Sequence, residues 1–299
     1  METALNEITL VLFTTIAPAG TVGYLVAAAA IMRAGDGPRA TATSRYLVIP
    51  LVLAITGLIA SATHLGTPAN ALYVLTGVGR SPLSNEVVAA VAFLALGGIY
   101  WIVSFRDDVT PLFRRVWLAL TCVAGLAFTA AVSVAYSVPS VPTWNLPTAP
   151  VTLWLNALSS GPLVGMVTLA AARQPLGKRA SLALLAVAGI AALANVAVLA
   201  AEWQALGGIV TTATRAADLV PPLAPVAGSY LVCMALALVA CAFAALRDTL
   251  PAGTKDPFAA ARRMRTVRLA LAGLGVLLAL AGCFAVRFTF YMMHMTLGI

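Results

Sequence analysis

The 299-residue sequence has very little charge, and this scarcity excludes most classes of soluble protein. Only 9% of the residues are Asp, Glu, Lys or Arg, whereas 61% are hydrophobic, and the mean hydropathy is +0.97. Soluble domains carry about 25% charged residues and disordered chains need low hydrophobicity, so both classes are excluded. The long, continuous apolar runs also disfavour a transmembrane β-barrel, whose strands alternate. We therefore predict an all-α, polytopic membrane protein.

Residues that bind metals are also scarce. The protein has four cysteines and two histidines, and no pair of cysteines has C-x-x-C spacing. A transmembrane haem wire needs histidine ligands at two depths, but both histidines fall near the same surface, so we expect neither haem nor metal in this chain. The net charge of +8 would suggest a nucleic-acid partner in a soluble protein. Here the basic residues occupy short loops in a lipid bilayer, so we expect no nucleic-acid partner.

Apolar windows of about 19 residues predict eight membrane spans within a single integral-membrane domain, residues 1–299. The spans can divide into two four-helix halves, although no sequence repeat relates the halves. The small-residue motif Gly161-x-x-x-Gly165 in the fifth span favours close helix packing. The predicted spans cover residues 8–32, 46–63, 85–104, 116–137, 151–172, 180–202, 227–246 and 269–290.

The basic residues occupy alternate loops. Fifteen of the 18 lie on one side, and the other side holds only Arg80, Arg215 and Arg287. The positive-inside rule assigns the basic loops to the cytoplasm. We therefore expect a multi-pass protein of the cytoplasmic (inner) membrane with both termini outside. The basic loops are residues 33–45, 105–115, 173–179 and 247–268.

Ionisable residues within or beside the spans are functional candidates, since charge is costly in hydrocarbon. In the predicted topology all of them fall towards the outer surface, and they are His64, Glu86, Glu202, Arg287 and His294. A proton-coupled transporter would be expected to carry charge near the midplane, so this one-sided set disfavours a transporter. A redox-active lipid headgroup needs hydrogen-bond partners for two oxygens and a base for its protons. The carboxylates and imidazoles among these outer residues can provide both the hydrogen bonds and the base.

Two of these candidates also have simpler structural explanations as helix ends. Glu86 follows Ser84-Asn85, an N-cap pattern, so its carboxylate can serve only to complement the helix dipole, a contribution of about 0.3–1 kcal/mol. His64 precedes Gly66 and Pro68 and can be a polar helix end at the lipid headgroups. Position alone leaves both explanations open.

The remaining candidates can be explained by contact with water or headgroups. Glu202 can meet water at the end of the sixth span. Arg287, Tyr291 and His294 are spaced by four and three residues, which places them on one helix face. That face can be an interfacial stripe whose long polar side chains snorkel to the headgroups.

The candidate residues lie within longer motifs. These are His64-Leu65-Gly66-Thr67-Pro68, Gly77-Val78-Gly79 with Ser81-Pro82-Leu83-Ser84-Asn85-Glu86, Val141-Pro142-Thr143-Trp144, Gly161-Pro162-Leu163, and Arg287 with Tyr291-x-x-His294-Met295-Thr296-x-Gly298. Together they resemble the membrane anchor subunits of bacterial dimethyl sulfoxide reductase, the DmsC family. The resemblance covers essentially the whole sequence.

The resemblance implies eight helices and menaquinol bound as a substrate near the outer face. It implies that His64 and Glu86 act in quinol oxidation and that Arg287, Tyr291 and His294 contribute to the quinol site. Electrons would pass to an iron–sulfur subunit and a molybdopterin catalytic subunit on the outer face, in anaerobic respiration. The protein would then hold a quinol-oxidation site without the catalytic centre of the complex. Two alternatives stay open, the anchor of a related polysulfide or tetrathionate reductase and, from another class, a transporter.

Overall fold

The computed structural model describes residues 1–35, 37–64, 68–106, 108–174, 176–211, 214–246 and 257–295. The motif positions 65–67, 296 and 298 lie outside these ranges. Within them, eight helices are long and apolar enough to cross a membrane and no β-strand is present, which confirms the predicted all-α class with eight spans. We number these helices α1 to α8 in chain order, with bounds Ile8–Arg33, Val48–Thr63, Pro82–Val103, Pro111–Ala135, Thr148–Ala171, Lys178–Leu206, Leu223–Leu246 and Pro257–Met292.

Proline and capping side chains set where several helices begin. α3 starts at Pro82 and α4 at Pro111, and the preceding Ser81 and Thr110 side chains accept hydrogen bonds from backbone N–H groups of the first turn. Proline suits the first helical position because the N–H it lacks would have no helical partner there. α8 begins at Pro257, earlier than residue 269, since its arginines lower the hydropathy without breaking the helix.

Two buried cores divide the helices into the expected halves. The first core draws mainly on α1 to α4 and the second on α5 to α8, with α5 contributing to both. In α1 and α5, 72% of the spanning window is buried, against 28–39% in the other six helices. The pair α1 and α5 is therefore the centre of the bundle. The outer helices turn apolar side chains such as Val123, Ile190 and Leu277 outward, as a lipid-facing surface requires.

Glycines let the two central helices pack closely, and we call this contact the central seam. A Cβ atom built on Gly161 would lie less than 3.0 Å from Val22, and one built on Gly23 would lie 2.5 Å from Val164. A Cβ on Gly165 would meet Val26 at 2.5 Å. Two packed helices approach this closely only where small residues meet, and the resulting van der Waals contact drives association in lipid. The Gly161-x-x-x-Gly165 motif therefore packs as expected.

Buried hydrogen bonds between neutral side chains join the helices of the second half. Asn195 of α6 donates to the side-chain oxygen of Asn156 of α5 at 2.8 Å. The Tyr230 hydroxyl of α7 donates to Ser159 Oγ at 3.1 Å. Such bonds contribute about 0.6 kcal/mol on average in membrane proteins. They therefore fix the relative positions of the helices more than they stabilise the bundle.

The first described residues and the end of α8 lie at the same end of the bundle. The short helix Glu2–Asn6 precedes α1, and its Ala4 shares a buried cluster with Phe290 and Met293 near the end of α8. We call this end the terminal end. The opposite end carries the loops with most of the basic residues, and we call it the basic end.

We expect Gly161→Ala to destabilise the protein by about 1–3 kcal/mol, because the added methyl group overpacks the seam. Gly98→Ala is the matched control, since a Cβ there meets nothing within 4 Å and alanine favours helix. The measurement is thermal unfolding of both purified variants in a mild detergent. Equal melting temperatures for the two variants would contradict the close seam.

Candidate functional site at the terminal end

Arg287 of α8 is buried at the terminal end, only 1% exposed. Its Nε donates to Thr14 Oγ1 of α1 at 3.1 Å, and its guanidinium lies 4.2 Å from the ring centre of Phe290. The guanidinium also faces the Tyr136 and Tyr291 rings, at 5.9 and 5.5 Å. Its Nη2 makes no well-aligned hydrogen bond. The interfacial, snorkelling explanation is therefore wrong for Arg287, which points into the protein.

Tyr136, directly after α4, connects the two halves at this end. Its ring lies 5.8 Å from that of Tyr291, and Tyr136 is within electrostatic range of both Arg287 and Glu86. Tyr291 is fully buried and lies beside Thr14 as well. Residues from α1, α3, α4 and α8 thus meet around these two tyrosines.

Glu86 lies in the second turn of α3 and is 2% exposed. The helix begins at Pro82 with Ser81 as its cap, so the N-cap predicted at Ser84-Asn85 is wrong. The dipole effect falls off within the first turn, so it does not account for this carboxylate. Glu86 Oε2 is buried without a hydrogen-bond partner, and burial of such an atom is costly.

Glu202 is a second buried carboxylate at the same end. It is 1% exposed and sits one turn before α6 ends at Leu206. The expectation that it simply meets water is therefore wrong, because α6 extends beyond residue 202. Glu202 lies beside Thr148 and within electrostatic range of Arg287, but its Oε1 has no well-aligned hydrogen bond. We call the set Thr14, Glu86, Tyr136, Glu202, Arg287 and Tyr291 the polar cluster.

Neither described histidine belongs to the polar cluster. His64 Nε2 is 3.1 Å from Glu7 Oε2, and the His64 side chain is 41% exposed. Within the described ranges, no contact joins His64 to Glu86. The His294 ring packs on Trp144 with 4.8 Å between ring centres, and Trp144 Nε1 donates to the Phe290 carbonyl at 3.0 Å. His294 therefore borders the cluster through Trp144, whereas His64 contacts Glu7, which lies outside the cluster.

Three residues at the terminal end were not among the candidates from the sequence, although each has a feature in the sequence that could have indicated it. Glu7 immediately precedes the first span, in an acidic segment that also serves as a topology signal. Tyr136 lies near the end of the predicted fourth span, so the sequence places it close to the same membrane surface as the candidates on the other helices. Thr14 carries the weakest signal, since a threonine inside an apolar helix usually bonds its own backbone, as this one also does with Leu10 at 2.9 Å.

The donor set at this end suits hydrogen bonding to a small polar group. Carboxylates supply acceptors, and a guanidinium and phenols supply donors. Across the ranges that the structure covers, no three His, Cys, Asp or Glu side chains form a group that could hold a metal ion. A sizeable cavity is present, but it lies at the basic end, away from these residues.

Comparison with known proteins points to one family. The family model described as DMSO reductase anchor subunit (DmsC) matches residues 1–293. The protein is 31% identical over 303 positions to the C chain of anaerobic dimethyl sulfoxide reductase from Escherichia coli strain K12, with 100% of this sequence and 99% of the relative covered. The YnfH chain of the same organism is 31% identical over 245 positions, covering 81% and 79%. The C chain of the Haemophilus influenzae reductase is 28% identical over 299 positions, covering 100% and 99%.

We expect Glu86→Gln to unfold at the wild-type temperature or above it, because a neutral amide is cheaper to bury than an unpartnered carboxylate. A carboxylate that only complements the helix dipole predicts a loss of about 0.3–1 kcal/mol instead. The measurement is thermal unfolding in mild detergent without added quinol. Asp218→Asn, which changes an exposed carboxylate at the same end, is the control. A fall in melting temperature for Glu86→Gln alone would restore the dipole explanation.

Proposed function

The protein belongs to the family of DMSO reductase anchor subunits (DmsC), and we propose that it binds and oxidises menaquinol at the polar cluster. Electrons then pass to an iron–sulfur subunit docked on the terminal end and on to a molybdopterin catalytic subunit. The family membership supports the anchor role and a multi-subunit reductase. The assignment of the quinol site rests on the residues of the polar cluster.

The observation that carries the proposal is a set of buried polar atoms without a well-aligned hydrogen bond at one end of the bundle. They include Glu86 Oε2, Glu202 Oε1 and Arg287 Nη2. Buried polar groups in proteins are nearly always hydrogen-bonded, so acceptors and a donor without well-aligned bonds at one place are suited to a polar ligand. A quinol headgroup carries two hydroxyl groups, each of which can both donate and accept. It is therefore a chemical match for these atoms.

The apolar surroundings suit the rest of such a ligand. Phe290, Tyr291 and Trp144 pack against one another beside Arg287. Aromatic faces bind flat rings by offset or edge-to-face contact. A menaquinol headgroup is a fused aromatic ring system on a hydrocarbon tail, so the ring can lie in this aromatic region and the tail can extend into lipid.

We assign the role of base to Glu86. Oxidation of one quinol releases two electrons and two protons, and a positioned carboxylate that accepts a proton as the electrons leave lowers the barrier. Arg287 has an unpartnered donor atom suited to the second quinol oxygen. His64 is half exposed and faces Glu7, so its place in the proposal is at the water-facing edge, where protons leave. His294, packed on Trp144, helps to position the aromatic wall.

The distribution of charge supports a placement of the site at the outer face of the membrane. Thirteen described basic residues lie at the basic end, which the positive-inside rule assigns to the cytoplasm. The terminal end is then the outer, periplasmic face of the inner membrane. Its loops 136–147 and 207–222 carry a single basic residue, Arg215. Such weakly charged loops suit docking of the iron–sulfur subunit.

We expect Glu86→Gln to slow quinol-driven turnover by about 10²–10⁴-fold, because the variant lacks the base. Activity with an artificial donor that reduces the iron–sulfur subunit directly should stay at the wild-type level, since that route bypasses the anchor site. The measurement is the ratio of quinol-driven to artificial-donor activity of the whole complex in intact membranes. Asp218→Asn removes an exposed carboxylate at the same end and should leave the ratio unchanged.

Different results would contradict the anchor role and the quinol-oxidation role. An unchanged ratio in Glu86→Gln would remove the base role from this residue. Purification of the protein in mild detergent without any iron–sulfur or molybdenum partner would contradict the anchor role itself. His64→Asn should lower the ratio less than Glu86→Gln, because His64 lies outside the polar cluster.

A further inference from the structure

A cavity of about 420 Å³ lies at the basic end of the second half, between α5, α6, α7 and α8. Its walls are mostly small or apolar, with Met166, Ala170 and Ala244 among them. This volume is within the range of sites that hold small ligands. The proposed quinol site, at the other end of the bundle, does not account for it.

Two arginines of α8 reach this cavity and are held by backbone carbonyls. Arg265 Nη2 donates to the Ala171 carbonyl at 3.3 Å, and Arg268 Nε donates to the Ala244 carbonyl at 2.7 Å. Both side chains line the cavity. Arg265 Nε is buried without a hydrogen-bond partner. An oriented guanidinium with an unused donor is suited to a planar or tetrahedral oxyanion.

Ser181 supplies an independent sign of a missing ligand. It lines the cavity, is 1% exposed, and its Oγ has no hydrogen-bond partner. A buried hydroxyl normally bonds a protein group or a ligand. Ser181 and Arg265 line the same space, so one acceptor-rich group could satisfy both unpaired atoms.

Arg173 adds positive charge at an unfavourable backbone position. It follows the end of α5 with φ of 56°, the one non-glycine residue with positive φ among those described. Glycine usually occupies this place after a helix because it has no Cβ penalty. Arg173 also lines the cavity, and among its described lining residues there is no acidic side chain. An arginine in place of glycine thus adds charge to the cavity wall.

We propose that this cavity binds the phosphate headgroup of an anionic phospholipid. The ligand chemistry is a phosphate oxyanion, which Arg265, Arg173 and Ser181 would bind together. The apolar walls and the location at the ends of the spans favour a lipid over a free phosphate ion, because acyl chains can follow the helix surface while the headgroup meets the arginines. Basic pockets between helices on the cytoplasmic side are typical of anionic lipid sites.

Native mass spectrometry of the whole complex, purified in mild detergent, tests the site with added dioleoylphosphatidylglycerol as the probe. Arg265→Gln should retain about tenfold less of this lipid, since a hydrogen bond to a charged group is lost. Arg173→Gly should also retain less, although glycine suits the backbone angle and removes any strain. Arg263→Gln is the matched control, because Arg263 is an exposed arginine of the same helix that does not line the cavity.

Thermal unfolding distinguishes the possible sources of phosphate. Phosphatidylglycerol should raise the melting temperature of the wild type and of Arg263→Gln, whereas dioleoylphosphatidylcholine and inorganic phosphate should not. Stabilisation by inorganic phosphate equal to that by the lipid would overturn the lipid assignment. Wild-type lipid retention in either Arg265→Gln or Arg173→Gly would overturn the site.

Discussion

Close packing of α1 against α5 is the constraint on which the rest of the structure depends. Gly23, Gly161 and Gly165 let the two helices approach until their glycines meet valine side chains. Water is absent from the hydrocarbon, so helices associate there mainly through such van der Waals contact. The seam joins one four-helix half to the other. It therefore also fixes how the polar ends of the two halves meet.

The polar cluster contains residues from both halves, which the seam holds together. Thr14 lies on the central helix of the first half and receives the hydrogen bond of Arg287, which belongs to the last helix of the second half. Tyr136 lies beside Arg287 and close to Glu86. Burial of carboxylates and a guanidinium costs several kcal/mol per ion in proteins. The polar cluster bears this cost, and several of its atoms have no well-aligned hydrogen bond. The cluster is therefore well suited to a polar ligand that supplies such bonds.

The sequence was sufficient to predict the number of spans, the two halves and the collection of polar residues at one end. These features depend on hydropathy and loop charge, which a single sequence displays directly. The N-cap predicted for α3 is wrong although Ser81-Pro82 carries the signal for the observed one, because Ser84-Asn85 offers a competing cap. The burial of Arg287 was not predictable, since helix-face spacing does not distinguish a face turned to lipid headgroups from one turned into the bundle.

Contacts between distant parts of the sequence were also beyond sequence reasoning. The pairing of His64 with Glu7 depends on how α1 and α2 cross. The sequence also gives no sign of the cavity at the basic end, for another reason. In a sequence, the positive-inside rule offers an explanation for every arginine between alternate spans, so none of them calls for a second one. Only their geometry shows that Arg265 and Arg173 border a cavity.

The central claim is that Glu86 and Arg287, from opposite halves, bind one ligand. A double-mutant cycle tests it directly, using the affinity of a non-reactive quinol analogue for membranes that contain the wild type, Glu86→Gln, Arg287→Lys or both changes. Our account predicts that the two losses of binding free energy are non-additive by about 0.5–3 kcal/mol, as for residues that share a partner. Additivity within about 0.3–0.5 kcal/mol would show that the two residues act independently and would contradict a single site across the seam.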